Sequence, residues 1–128
     1  NVQEQLKKAR ATLAKNNGLT LVLALSYGGR TEIVDAVRSI AADVKSGKLD
    51  PADINDQVMH QHLYTRNYPD PDVLIRTSGE MRVSNFLLWQ ISYAEFVITP
   101  TLWPDFRKAQ FFAALDEYAR RHRRFGGV

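Results

Sequence analysis

The chain has 128 residues, a length typical of one domain. Of these residues 45% are hydrophobic and 24% charged, a composition that predicts a globular protein rather than a disordered segment. It contains no cysteine, which excludes disulfides and thiolate metal sites, and its net charge of +3 is too small to indicate nucleic-acid binding. No apolar run approaches the roughly 20 residues that a transmembrane helix needs.

The first part of the chain predicts a helix, a strand and a second helix. Residues 3–15 are good helix formers with apolar residues at helical spacing. Residues 19–25, LTLVLAL, form a continuous apolar run that is typical of a strand buried on both faces of a parallel sheet. Thr31 is a suitable N-cap for the next helix, and Gly47 ends it. The apolar face of that helix is predicted to contain Ile33, Val34, Val37, Ile40, Ala41 and Val44.

The rest of the chain continues the alternation of helices and strands. Residues 50–62 predict a helix that begins with Asp-Pro, and residues 72–76 predict a strand. Residues 86–95 predict a helix that is apolar almost all the way round, followed by a strand at 96–99 and a last helix at about 106–122. This order predicts an α/β fold with a mostly parallel sheet flanked by helices.

Ligands of open α/β sheets bind beyond the carboxyl ends of the strands, and two loops leave such ends here. The loop at residues 26–30 contains two glycines, which is a weak indication of phosphate binding. The second loop places Arg76 and Arg82 before a predicted helix that Ser84 or Asn85 caps. Two guanidinium groups and a helix N-terminus suit a diphosphate. The alternative interpretation is that both arginines pair with surface carboxylates such as Glu80.

Other polar groups leave their roles open. Glu95 either binds magnesium together with substrate phosphates or pairs with an arginine, and the residues alone favour the ion pair. His60 and His62 are two positions apart on a predicted helix, so we expect solvent exposure rather than a metal site. The arginines of residues 120–124 have several candidate partners: acidic lipid, nucleic acid or a phosphate in a neighbouring subunit. The commonest arrangement for such a helix end is exposure to solvent, which is favourable for cations.

Three segments together resemble a known family of enzymes. IRTSGEMRVSNFLLWQISYAEF (75–96), LWPDF (102–106) and RRFGG (123–127) are similar to the cis-prenyltransferases, especially the bacterial undecaprenyl diphosphate synthases. SYGGRTEIVDAV (26–37) is similar to the family's N-Y-G-G-R segment. The resemblance implies an enzyme that adds isopentenyl diphosphate repeatedly to farnesyl diphosphate with cis double bonds. It also implies a requirement for magnesium and a homodimer.

The same resemblance assigns roles to individual residues. Arg76, Arg82, Val83 and Ser84 are expected to hold the diphosphate of isopentenyl diphosphate. Glu95 is expected to bind magnesium from the partner subunit. The apolar segment 86–94 is expected to form much of the dimer interface. Gly126 and Gly127 are expected to belong to a C-terminal tail near the diphosphate, and Leu19 is expected to lie toward the far end of the tunnel for the growing chain.

This sequence departs from the family in three places. The family's M-D-G-N-G-R-W segment, which carries the catalytic aspartate, is absent. We therefore expect residues 1–128 to be the C-terminal part of a single catalytic domain, with no catalytic residue of its own and no activity alone. Met81 stands where some members have a metal-binding histidine, and Ser26 stands where asparagine is usual.

An alternative function remains within the same family. The chain is either part of the enzyme or a non-catalytic accessory subunit of a two-component cis-prenyltransferase. Such subunits tend to lose the diphosphate arginines, so the presence of Arg76 and Arg82 favours the enzyme. We expect a cytoplasmic protein with peripheral contact at the inner membrane for product release, and no nucleic-acid partner.

Overall fold

A computed structural model describes residues 1–122, which form helices on a short parallel sheet. The elements are α1 (Val2–Leu13), α2 (Gly29–Lys45), α3 (Asp56–His62), β1 (Val73–Arg76), β2 (Glu95–Ile98) and α4 (Lys108–Ala119), with 3-10 turns at Pro51–Asp53 and Trp103–Asp105. The predicted roles of Gly126 and Gly127 and the RRFGG motif lie outside the described residues. No helix among residues 1–122 is long and apolar enough to cross a bilayer.

The two strands confirm the predicted α/β class. β1 and β2 are parallel, with Val73 opposite Glu95 and Arg76 opposite Ile98. A hydrogen bond of 2.9 Å from Thr99 N to Arg76 O continues the ladder beyond the last pair. Both strands lie where the sequence predicts them, because short apolar runs between turn residues are typical of strands in parallel sheets.

The predicted strand at residues 19–25 is wrong. Within residues 1–122 this segment pairs with neither strand of the sheet, and Leu21 and Leu25 are 75% and 63% exposed. A strand needs a neighbouring backbone to complete its hydrogen bonds, and hydrophobicity alone does not supply one. The segment instead lines two grooves, one shared with α1 and the other with residues 64–71 and 86–90.

The start of α2 also differs from the prediction. Its N-cap is Gly28, three residues before the predicted cap Thr31, and the cap makes no side-chain hydrogen bond. The acceptors for the first amide groups come from a distant part of the chain, which local sequence does not reveal. The end of the helix is as predicted, because Gly47 has φ 75° and stops it.

The predicted helix at residues 50–62 is two elements rather than one. Asp50 accepts a hydrogen bond of 2.8 Å from Ala52 N and begins the first 3-10 turn. Asn55 accepts one of 3.0 Å from Val58 N and begins α3. Both residue types are strong N-caps, so the second cap ends the first turn and starts a new helix.

The main core lies between α2 and α3. Val34 and Val37 were predicted on the buried face of α2 but are 47% and 54% exposed, because α3 covers only one stripe of that helix. The buried residues are Ala36, Ile40, Met59 and Leu63, with Ile33, Leu49, Val58 and Trp89 packed against them.

Residues 86–95 do not form the predicted apolar helix. They make successive turns, and positive φ values at Asn85 (62°) and Leu87 (46°) prevent a regular helix from starting there. Part of the apolar character is used inside the chain, because Ile91 is buried and Trp89 packs on the main core. Tyr93 remains 63% exposed.

The last helix is shorter than predicted. α4 begins at Lys108 and ends at Ala119, whereas the pattern predicted a helix from 106 to 122. The preceding 3-10 turn ends with Phe106 in an extended conformation, which delays the helix by two residues. Phe111 and Phe112 are 44% and 50% exposed on α4.

His62 joins α3 to α2 and is not solvent-exposed as predicted. Its Nδ1 lies 2.8 Å from Val58 O and its Nε2 lies 3.0 Å from Asp43 Oδ2. The side chain is only 16% exposed. Both contacts are with acceptors, so a protonated ring can donate to each. The hydrogen bonds to Val58 and then to Asp43 raise the pKa of His62 above its ordinary value.

This raised pKa predicts that stability depends on pH. The contribution of His62 is fully present below its unfolded pKa of about 6.5 and is lost as the pH rises through the higher folded pKa. The unfolding midpoint of the wild-type chain is expected to exceed that of His62→Gln at about pH 6, and the gap is expected to narrow by about pH 8. His122→Gln is the control, because His122 is exposed beyond α4. A gap that stays constant with pH would contradict this role.

Candidate functional site

The loop of residues 76–85, which we call the arginine loop, starts at the carboxyl edge of the sheet. Ser78 N donates to Thr101 O at 2.9 Å, and Gly79 N donates to Thr99 O at 2.8 Å. Ser78 and Gly79 both have positive φ, at 66° and 65°, so the chain reverses sharply after β1. These contacts hold the loop at the edge where α/β folds bind ligands.

Arg76 and Arg82 converge on one carboxylate. Arg76 Nη2 lies 3.0 Å from Glu80 Oε2, and Arg82 Nη2 contacts the same oxygen. The Arg82 side chain is 67% exposed, whereas those of Arg76 and Glu80 are 33% and 34% exposed. The sequence analysis left pairing of both arginines with Glu80 as an alternative interpretation, and the structure shows this pairing. The same geometry brings the two guanidinium groups close enough to share one anion.

The predicted helix N-terminus is missing from this site. Neither Ser84 nor Asn85 caps a helix near Phe86, because the following residues form turns. Ser84 is exposed with φ 52°, and Val83 is half-buried. The prediction of a helix dipole at the anion site was therefore wrong, and the positive charge of the arginine loop comes from its guanidinium groups alone.

Asn85 caps α2 instead of a helix that follows it. Gly29 N donates to Asn85 O at 2.8 Å, and Arg30 N donates to Asn85 Oδ1 at 2.9 Å. The backbone amides of Gly29 and Arg30, which follow Gly28 in the glycine turn of residues 26–30, are thus bonded within the protein. This arrangement argues against the weak prediction that the glycine turn holds phosphate.

A buried carboxylate lies on α2, the helix whose first residues bond to Asn85. Glu32 is 1% exposed and accepts hydrogen bonds from Tyr27 Oη, from Tyr64 N at 2.8 Å and from Gln90 Nε2 at 3.1 Å. Gln90 Nε2 also donates to Thr65 Oγ1 at 2.8 Å. Burial, and then the hydrogen bond to Glu32, raises the pKa of Tyr27, so its hydroxyl stays protonated as a donor.

Sequence reasoning missed this network, although a signal was present. Glu32, Ala36 and Ile40 recur every four residues, which places a carboxylate on the buried stripe of α2. A charged residue on such a stripe requires partners. The partners come from three separate segments, and their identity could not be predicted from spacing.

Glu95 lies at the opposite end of the sheet from the arginine loop. It is the first residue of β2 and stands opposite Val73, three positions before Arg76. At about 3.3 Å per residue, the two backbones are roughly 10 Å apart along the strands. Arg121 Nη1 donates to Glu95 Oε2 at 3.0 Å, which is the ion pair that the residues alone favoured.

Glu95 has few metal-binding neighbours in the described chain. Arg121 also pairs with Glu117, and the hydrogen bonds to Glu117 and then Glu95 raise the pKa of Arg121. Among residues 1–122 there is no group of three or more acidic or histidine side chains that could hold a metal ion. Within residues 1–122, one copy of the chain therefore does not bring Glu95 and the arginines of the arginine loop together.

Comparison with known proteins identifies the family. The Prenyltransf family model, described as undecaprenyl diphosphate synthase, matches residues 1–126. The chain belongs to the undecaprenyl diphosphate synthase family. This confirms the resemblance that the arginine loop and the LWPDF segment indicated.

Relatives within the family are about 50% identical to this chain in sequence. The isoprenyl transferase of Brucella abortus is 52% identical over 128 residues, which are 100% of this chain and 50% of that protein. The ditrans,polycis-undecaprenyl-diphosphate synthase of Haemophilus influenzae, described as specific for (2E,6E)-farnesyl diphosphate, is 50% identical over 99% of this chain and 53% of its own length. The chain thus spans about half the length of the curated relatives it matches.

A solved structure shows the same fold. Lavandulyl diphosphate synthase from Lavandula x intermedia, in complex with dimethylallyl diphosphate, superposes with a TM-score of 0.91 and 45% sequence identity. The match covers 98% of this chain and 54% of that protein. Because the match covers nearly the whole chain at a high TM-score, the fold described here is that of the family.

Proposed function

We propose that this chain supplies the isopentenyl diphosphate site of a cis-prenyl chain-elongating enzyme. The whole enzyme adds isopentenyl diphosphate repeatedly to farnesyl diphosphate and makes undecaprenyl diphosphate. Membership of the family supports the reaction class. The observation that carries the site is the convergence of Arg76 and Arg82 on one point, which Glu80 Oε2 marks.

The proposed roles follow from the chemistry of the arginine loop. Two planar guanidinium groups match the oxygens of a diphosphate and are always charged. Ser84 and the backbone of Val83 add neutral donors beside them. The diphosphate carries more than one negative charge, so it competes with the single carboxylate of Glu80 for the same cations. Binding fixes the homoallylic substrate, and electrostatic positioning of this kind lowers the barrier to its reaction.

Magnesium requires a second copy of the chain in this proposal. Glu95 offers a carboxylate oxygen, a ligand that magnesium prefers together with substrate phosphates. Because Glu95 and Arg76 lie at opposite ends of the sheet, we assign Glu95 to the site of a partner subunit in a homodimer. The partly exposed apolar segment 86–94 is proposed as part of the dimer interface. Magnesium, when bound, supplies positive charge to the diphosphate.

A mixing experiment tests both the function and this arrangement. Arg82→Ala and Glu95→Ala are each expected to reduce isopentenyl diphosphate incorporation strongly in the natural polypeptide that carries this chain. Co-refolding the two variants is expected to restore activity, because mixed dimers then contain one site with both residues intact. Incorporation of labelled isopentenyl diphosphate into long-chain product measures the recovery.

The controls make the result decisive. Refolding each variant with itself gives the baseline, and refolding Arg82→Ala with an Arg76→Ala variant removes two groups of the same loop. If the loop works within one subunit, that second mixture is expected to stay inactive. No recovery in the first mixture would contradict a shared site, and full activity of both single variants would contradict the proposed function.

The product also needs an apolar path. Residues 22–25 line a cavity of about 420 Å³ together with residues 64–71 and 86–90, and we propose that this apolar segment borders the route of the growing chain. Leu19 is 97% exposed and lies in the other groove, beside α1. Release of an apolar product at a membrane surface completes the proposal.

A further inference from the structure

Asn85 connects the arginine loop to the start of α2 by two hydrogen bonds. Its backbone oxygen accepts from Gly29 N at 2.8 Å, and its Oδ1 accepts from Arg30 N, 55 positions away in sequence, at 2.9 Å. Gly28, at the N-cap position, makes no side-chain cap. Asn85 therefore satisfies backbone donors that a local cap residue normally satisfies.

The glycine turn is shaped closely around Asn85. A Cβ atom added at Gly28 would lie 2.8 Å from Asn85 Nδ2. A Cβ atom at Gly29 would lie 3.3 Å from Asn85 O and 2.9 Å from Leu88 Cγ. A side chain at Gly28 would displace the Asn85 amide group, and one at Gly29 would press on Leu88, whose backbone nitrogen would lie 3.1 Å from the added Cβ atom, so both glycines favour the close contact.

The backbone around Asn85 is in an unfavourable conformation. Ser84 has φ 52° and Asn85 has φ 62°, in a region that residues with a side chain seldom adopt, although asparagine adopts it more readily than serine. Such a conformation persists only where surrounding contacts hold it, and it is found mainly at functional sites. The contacts that hold it here are those of Asn85 with α2.

We propose that Asn85 is a positioning residue for the diphosphate site. Its attachment to α2 sets the direction of Ser84, its immediate neighbour, and of Arg82 three positions earlier. Loss of the Oδ1 acceptor removes one of the two hydrogen bonds to α2, so the loop is held less tightly and these groups can move relative to Arg76, which the sheet holds in place. The inference rests on the proposed function, because it assigns Asn85 a role in the same site.

The test compares steady-state kinetics of variants of the natural polypeptide that carries this chain. Asn85→Ala is expected to raise the KM for isopentenyl diphosphate by roughly tenfold or more, because the displaced Arg82 and Ser84 bind the diphosphate less tightly in ground and transition states alike. The KM for farnesyl diphosphate and the kcat at saturation are expected to change by less than about twofold. Asn85→Asp keeps the acceptor and tolerates positive φ, so it is expected to lie closer to the wild type.

Asn55→Ala is the matched control. Asn55 caps α3 with a hydrogen bond of 3.0 Å to Val58 N, away from the arginine loop. It is expected to lower the melting temperature as Asn85→Ala does but to leave the KM for isopentenyl diphosphate unchanged. A purely structural role for Asn85 would give the same kinetics in both variants and would overturn the proposal.

Arg82→Ala separates this inference from the proposed function. If Arg82→Ala leaves the KM for isopentenyl diphosphate unchanged, the proposed function fails. If Arg82→Ala raises that KM and Asn85→Ala does not, only the positioning role fails. A KM for Asn85→Asp as high as that for Asn85→Ala would overturn the role of the Oδ1 acceptor.

Discussion

Arg82→Ala is expected to raise the KM for isopentenyl diphosphate by about one to two orders of magnitude. A hydrogen bond to a charged partner contributes about 1.5–3 kcal/mol, and every 1.4 kcal/mol is a factor of about ten in affinity. The KM for farnesyl diphosphate is expected to change little, because the proposed site holds only the isopentenyl diphosphate. Initial rates measured with each substrate varied in turn separate the two effects.

Arg38→Ala is the matched control for this substitution. Arg38 also pairs with a nearby carboxylate, Asp35, and its side chain is 75% exposed, compared with 67% for Arg82. It lies on α2 outside the arginine loop, so loss of its charge is expected to leave both KM values unchanged. Equal increases of both KM values in Arg82→Ala would contradict the assignment of this residue to one substrate.

Glu32→Ala is expected to lower the free energy of unfolding by about 3 kcal/mol or more. The substitution leaves the Tyr27 hydroxyl, the Tyr64 backbone amide and the Gln90 amide without their shared acceptor. Each buried donor left unsatisfied costs about 1–3 kcal/mol. Chemical denaturation, followed by tryptophan fluorescence, measures the loss.

Glu32→Gln separates the loss of the acceptor from the loss of charge. Its amide oxygen still accepts hydrogen bonds, so it is expected to be less destabilising than Glu32→Ala. Asp35→Ala is a second comparison, because Asp35 lies on the same helix and accepts from Tyr64 Oη in an exposed position. A Glu32→Ala variant as stable as Asp35→Ala would show that the buried network contributes little.

The sequence predicted correctly those elements that local patterns, such as helical spacing or a short apolar run, are enough to indicate. α1 and both strands lie close to their predicted positions, because helix spacing and short apolar runs are properties of the local sequence. The break within residues 50–62 was also readable in principle, since Asn55 is as good an N-cap as Asp50. The strand predicted at 19–25 failed because a strand depends on a partner elsewhere.

In the candidate site too, residues of one motif could be predicted from the sequence, whereas contacts between distant segments could not. The motif identified Arg76 and Arg82, and Glu80 was near enough in sequence to be considered as their partner. The pairing of Glu95 with Arg121, 26 positions apart, depends on how α4 packs on β2. The conformation of Ser84 and Asn85 depends on contacts with α2, and the sequence indicates it only weakly, because asparagine tolerates positive φ but indicates it less strongly than glycine does.

In the proposed function, the carboxylate between the two arginines makes diphosphate binding an ion-exchange step. Glu80 already neutralises one of the two positive charges, so an arriving anion must displace it as well as bind. A monovalent anion gains no charge advantage over the carboxylate that it replaces. A diphosphate brings several charges and an arrangement of oxygens that a single carboxylate lacks, so under the proposed function we expect Glu80 to favour polyvalent substrates over the abundant simple anions of a cell.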